Sequence, residues 1–123
     1  MSNPYEIYAK YEEATLSKEE ILLKALEEIL SLLNIAKIAI DDNNLKLKGE
    51  SLSKVSNALS LLKASLDLEN GGEIASNLDK LYDFCLEELT LANLKNDKSK
   101  IQNVIEVLKP IYEGFKEAKE KLK

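Results

Sequence analysis

The sequence predicts an all-α fold, an antiparallel up-down four-helix bundle with an N-terminal arm, and three observations carry that prediction. Helix breakers are scarce, with four Gly and two Pro in 123 residues, while 45% of the chain is apolar and 32% charged. Such a composition favours long amphipathic helices over strands or disorder. Four segments of similar length repeat an apolar residue every three or four positions, which sets one packing stripe on each helix. The breakers between them are short, at Asp41 to Asn44, Glu69 to Gly72 and Lys95 to Asp97, and connections this short turn each helix back along its predecessor. The length is that of one helical-bundle domain over residues 1–123.

In order, the arm covers residues 1–16 and the helices about 18–41, 44–68, 73–95 and 98–122. Ser17-Lys18-Glu19-Glu20 reads as a capping box that opens the first helix. That helix carries a stripe at Leu22, Leu26, Ile29, Leu33, Ala36 and Ile40, and the second at Leu52, Val55, Leu59, Leu62 and Leu66. Asn70-Gly71-Gly72 ends the second helix, with Gly71 or Gly72 expected at positive φ because only glycine reverses the chain there without strain. The third stripe is Ile74, Leu78, Leu81, Cys85, Leu89 and Ala92, and the fourth is Ile101, Val104, Leu108, Ile111, Phe115, Ala118 and Leu122. Pro110 lies inside the fourth, where the missing amide predicts a kink or break near Glu106 to Pro110.

Several function classes lose a required part. Net charge is −5 and the lysines are scattered among acids, so the concentrated positive surface that nucleic acid needs is not expected. The chain has no His, Arg or Trp, which removes imidazole acid/base chemistry, His metal ligands and guanidinium clamps. Paired acids such as Glu87 and Glu88 read as a solvated charged face, so the expectation is no enzyme, no cofactor and no metal site. The lone Cys85 reads as a small core residue in a reducing compartment. No segment approaches the length of a membrane span and no leader pattern opens the chain, so a cytoplasmic protein without membrane insertion is expected.

What remains is surplus apolar surface. The first helix adds Ile21, Leu23, Ala25, Leu30, Leu32, Ile35, Ile38 and Ala39 to its stripe, so it is expected to be central or covered by something besides its bundle neighbours. On the third helix Phe84 and Leu91 point away from the core, stacked at i, i+7, and read as a docking groove. In the arm, Tyr5, Ile7, Tyr8 and Tyr11 offer an amphipathic edge able to lie over exposed apolar surface as a lid.

The segment from Leu66 to Tyr82 contains L-D-x-E-x-G-G-E-I-A-x-N-L-x-x-L-Y, and this pattern resembles the signature of the flagellar secretion chaperones (FliS). Asn3-Pro4-Tyr5 with Tyr8 looks like the tyrosine-bearing start of that family, and Ala14 to Glu20 like its helix entry, with Lys18 in place of Pro. Ala36-Lys37, Leu89, Ala92, Asn93 and Asp97 match in order, and Glu113 to Ala118 is similar to its terminal aromatic segment, with Phe115 where Trp is usual. The chain departs from the pattern at Ala25-Leu26-Glu27-Glu28, where the family carries Leu-Tyr and then Asp-Gly, and at Pro110.

The resemblance implies an export chaperone. It would bind the C-terminal segment of flagellin, prevent premature polymerisation and deliver the client to the flagellar type III export machinery, with room for a regulatory protein partner. It adds Ile74, Asn77, Leu81 and Tyr82 of the motif to Phe84, Leu91 and the arm residues as partner-binding candidates, in a protein expected as a monomer or weak dimer. The alternative is a structural or dimerising helical bundle whose surplus surface is covered by its own copy, without a separate client.

Overall fold

A computed structural model describes residues 17–121, so the arm and its Tyr5, Ile7, Tyr8 and Tyr11 lie outside the described residues. Four helices follow one another: α1 (Lys18–Asp41), α2 (Leu45–Ala64), α3 (Gly72–Lys95) and α4 (Lys98–Lys121). α1 packs on α2 and α4, and α3 packs on the same two, while among the described residues the backbones of the diagonal pairs stay farther apart. The order is therefore a closed ring. Contacts across it descend in one helix as they ascend in the other. Lys37 bonds Gln102, Tyr112 bonds Glu27 and Lys119 pairs with Glu20, while Lys48 reaches Asn93 and Lys63 reaches Asp79. Neighbours are thus antiparallel, and the architecture is a four-helix bundle. Among the described residues, no helix is long and apolar enough to cross a membrane.

The helix ends follow local chemistry. Ser17 caps α1, its Oγ accepting the Glu20 amide at 3.1 Å, which satisfies one of the first-turn donors. The Glu20 carboxylate turns instead to Lys119 at 3.6 Å. α2 stops at Ala64, short of the expected residue 68, because Asp67 accepts the Asn70 amide at 3.0 Å and the Asn70 side chain at 3.1 Å. That local turn competes with further helical bonds. Gly72 takes φ +62, and it does so at the entry of α3 rather than at the exit of α2. Asn96, at φ +53, closes α3 in the left-handed conformation that Asn tolerates. α4 runs unbroken through Pro110. Pro110 and Glu106 are both exposed, so the carbonyl deprived of its amide partner opens to solvent.

The core joins Ile29, Leu33 and Ala36 of α1 to Leu52, Val55 and Leu59 of α2, Tyr82, Cys85, Leu89 and Ala92 of α3, and Ile101, Val104 and Leu108 of α4. α1 occupies one corner of the ring and is not central: Ile21, Ile35 and Ile38 remain exposed on its outer side. Leu23 and Ala39, not Leu22 and Ile40, complete its fully buried stripe.

Candidate functional site

The two candidate glycines build the turn from which the site starts. A side chain at Gly71 would collide with the Asp67 carbonyl oxygen and come within 2.5 Å of the Ala75 Cβ. The Gly71 amide donates to that same carbonyl at 2.7 Å. Gly71 is thus required by close approach and Gly72 by its positive φ. Between them they start α3 with Ile74 outside and Ala75 inside.

Along α3 the candidates divide. Ile74 is 73% exposed, Phe84 41% and Leu81 36%; Asn77 is exposed and Leu91 half-buried. These five share one side of the helix. Glu88 lies on that side too, four residues after Phe84 and three before Leu91, and its Oε2 accepts from Asn103 Nδ2 of α4 at 2.9 Å while Lys100 sits 3.6 Å from Oε1. The strip therefore runs along the shoulder where α3 meets α4. The opposite flank of α3 is acidic, with Asp79 and Asp83 holding Lys63 of α2 at 2.8 and 3.5 Å. Those two acids hold the Lys63 ammonium above its usual range, the Asp79 hydrogen bond acting most. Apolar anchors flanked by charge form a surface on which an amphipathic segment can orient as well as bind.

Tyr82 is placed elsewhere. It is 2% exposed, in the core with Cys85 and Leu89, and burial pushes its phenol above the usual range. A direct contact with a partner needs an exposed ring, so in this conformation Tyr82 supports the site from beneath. Ile74 and Leu81, expected both on the inward stripe and in the partner set, lie outside the buried core; Ala75 and Tyr82 occupy the inward register in their place. Glu88 corrects the reading of Glu87 and Glu88 as a solvated face: Glu87 is exposed and Glu88 is buried against α4.

Other exposed residues escaped the sequence reading. Leu94 continues the outer surface of α3, and Leu61 and Leu68 stand open before the turn. Leu94 lies two positions beyond the buried Ala92, a displacement of about 200°, and that offset was the available signal. Among the described residues, no group of three or more His, Cys, Asp or Glu is placed to hold a metal ion. The Cys85 thiol is buried and pushed up to about 12, mainly by burial and secondarily by Glu88, which leaves it protonated at neutral pH and a poor nucleophile.

Comparison with known proteins supplies an independent line. The family model described as Flagellar protein FliS matches residues 1–122. A flagellar secretion chaperone FliS of Vibrio cholerae is 37% identical over 91 residues, covering 74% of this chain and 64% of the relative. Its counterpart in Salmonella typhimurium is 43% identical over 83 residues, covering 67% and 62%. In Escherichia coli the figures are 35% over 103 residues, 83% and 76%. The matched stretch thus spans somewhat less than two thirds of the first two relatives' own length.

Proposed function

Because this chain belongs to the Flagellar protein FliS family, we propose that it is a flagellar export chaperone whose client is the C-terminal segment of flagellin. The observation that carries this reading is the apolar strip of exposed Ile74, Leu81 and Phe84 with half-buried Leu91 along the α3 shoulder. A client segment that is unfolded before export gains by burying apolar side chains there, against the entropy of ordering its own chain. Burial contributes roughly 25 cal/mol per Å² of apolar surface, most of it offset by that ordering. Such a balance gives a complex that protects the client in the cytoplasm and releases it at the export apparatus. While bound, the segment is withheld from premature polymerisation. Asn77 and the edges of the strip fix its register by hydrogen bonding, and the arm residues Tyr5, Ile7, Tyr8 and Tyr11 extend the surface or cover it when no client is present. A regulatory protein would compete by occupying the same strip. The role requires binding and no catalysis, cofactor or metal.

The test is the double substitution Phe84→Ser with Leu91→Ser, titrated calorimetrically with a flagellin C-terminal peptide. Neither residue is in the buried core, so unfolding should shift by about 1 kcal/mol or less. Loss of interface anchors at ~2 kcal/mol each should weaken binding about thirtyfold for one and up to about a thousandfold for both. Leu89→Ser is the control, since Leu89 is buried and should damage folding first. Unchanged affinity in a folded double mutant would remove the client from this face.

A further inference from the structure

Lys48, in the first turn of α2, is the one buried cation among the described residues, at 7% exposure. Its ammonium donates to the Asn93 carbonyl at 2.9 Å and to Asn96 Oδ1 at 2.6 Å. Both acceptors are neutral. An ammonium has three donors, and among the described residues this one joins no ion pair, whereas the buried acid Glu88 has Lys100 at 3.6 Å. A charge withdrawn from water is costly until an opposite charge meets it. The C-terminal end of α3 offers only about half a unit of negative charge. Asp97, which follows the helix, has its Oδ1 occupied by the amide and hydroxyl of Ser99 at 2.9 and 2.6 Å, not by Lys48.

Two features lead to this corner. The apolar strip of α3 does not run straight: at 100° per residue Leu91 falls about 20° behind Phe84, and Leu94 about 60° further in the same sense. Leu94 is 76% exposed. The strip thus winds off the α4 shoulder and over the outer face towards the α2 flank, the flank on which Asp79 and Asp83 hold Lys63. There a cavity of about 230 Å³ opens between α2 and α3, and its polar lining is Ser53, Ser56, Asn57, Thr90 and Asn93. These side chains are hydroxyls and amides without charge, and the Asn93 carbonyl is the one bonded to Lys48.

We propose that Lys48 receives the terminal carboxylate of the client. The segment lies along the α3 strip with its chain end at the α2–α3 corner, one carboxylate oxygen accepting from the Lys48 ammonium and the other from the hydroxyls and amides of the adjoining cavity. This rests on the client proposed above, a C-terminal segment, which ends in a full negative charge carried by two acceptor oxygens. The corner supplies the complement, one cation without a counter-charge beside neutral hydrogen-bonding groups. Charge-assisted bonds are stronger than neutral ones, and capture of a chain end is a recurrent mode of peptide recognition. The contact sets direction and register together, which apolar burial, being non-directional, does not.

The experiment is calorimetric titration of the full chain with two flagellin C-terminal peptides identical except at the chain end, one a free acid and the other a carboxamide. The wild type should bind the free acid at least about tenfold more tightly, the worth of one hydrogen bond between charged groups. In Lys48→Met, checked for folding by circular dichroism, the two peptides should bind alike. Lys48→Gln keeps a donor for Asn93 and Asn96 without the charge and gives the same comparison if the Met variant unfolds. The change in the wild-type titrations is on the ligand, so no folding defect can imitate it. Equal wild-type affinities overturn the proposal and leave the client on the strip, with Lys48 serving only to cap α3. A preference for the free acid that survives in the variants also overturns it, since the carboxylate is then held elsewhere. If neither peptide binds the wild type, the client assignment falls and this inference with it.

Discussion

Alanine substitution at Gly71 and at Gly72 tests the α3 entry turn through two different physical costs. Gly72 sits at φ +62 with nothing within 4 Å of an added Cβ. The penalty of Gly72→Ala is therefore backbone strain alone, roughly 1–2 kcal/mol for an L-residue in the left-handed region. Gly72→Asn should cost less, because Asn adopts that region more readily. Gly71 has φ −80, which any residue accepts, so its cost is steric. The new methyl would meet the Asp67 carbonyl oxygen, itself bonded to the Gly71 amide, and the Cβ of buried Ala75. Both are held by backbone, so the loop or the first turn of α3 must move, at about 1–3 kcal/mol as for other overpacked sites. Thermal unfolding followed by circular dichroism reads each kcal/mol as a fall of roughly 4 °C for a chain of this size. The reasoning is refuted if Gly71→Ala is neutral, or if Asn at position 72 is no better than Ala.

Two further perturbations probe buried polar groups. Cys85 holds its proton in the folded state up to about 12 against an ordinary 9.0, so the unfolded chain ionises first and stability should decline as pH rises from 9 towards 12. Unfolding midpoints measured across that window should fall less steeply in Cys85→Ala, and a thiol reagent should label native protein only after denaturant is added; rapid labelling of the native chain would contradict the burial. Lys48, itself buried, donates to the Asn93 carbonyl at 2.9 Å and to Asn96 Oδ1 at 2.6 Å, at the C-terminal end of α3. Lys48→Met should cost about 1 kcal/mol, since the freed acceptors sit on exposed residues and regain water, while Lys48→Glu should cost ~1 kcal/mol more by placing negative charge at the negative end of the helix. Equal urea midpoints for the two variants would show that the charge is not what matters there.

The helix starts and stops were legible because each is a local event. Ser17 caps α1 through its own hydroxyl, and Gly71 and Gly72 shape the entry of α3 within a few residues. The early end of α2 is local too, but it depends on the Asp67 side chain choosing Asn70 over the helix, a competition between two short-range options of similar energy. Of the kink or break that Pro110 forecast, the break does not occur: the helix continues through it, since an exposed carbonyl costs little when water replaces the amide.

The candidate site was legible as a pair and illegible as a face. Phe84 and Leu91 were placed off the core by spacing alone, and both lie outside the buried set. The same spacing sent Ile74 and Leu81 inward and the family resemblance offered Tyr82 to a partner, whereas the bundle buries Ala75 and Tyr82 and exposes Ile74 and Leu81. These are two parallel registers of one helix, each with a seven-residue repeat and about 100° apart, and both are mostly apolar. Likewise nothing local distinguishes Glu88 from Glu87 until Asn103 and Lys100 arrive from α4.

By itself, then, the sequence determined four helices, their order and the short turns that make neighbours antiparallel, because caps, breakers and apolar periodicity act within a few residues. Which register of α3 faces the centre, which acid is buried and which grooves stay open were decided by the tertiary structure. Rotating an amphipathic helix by one residue changes its local energetics little, and only the side chains of the two helices packed against it select the orientation.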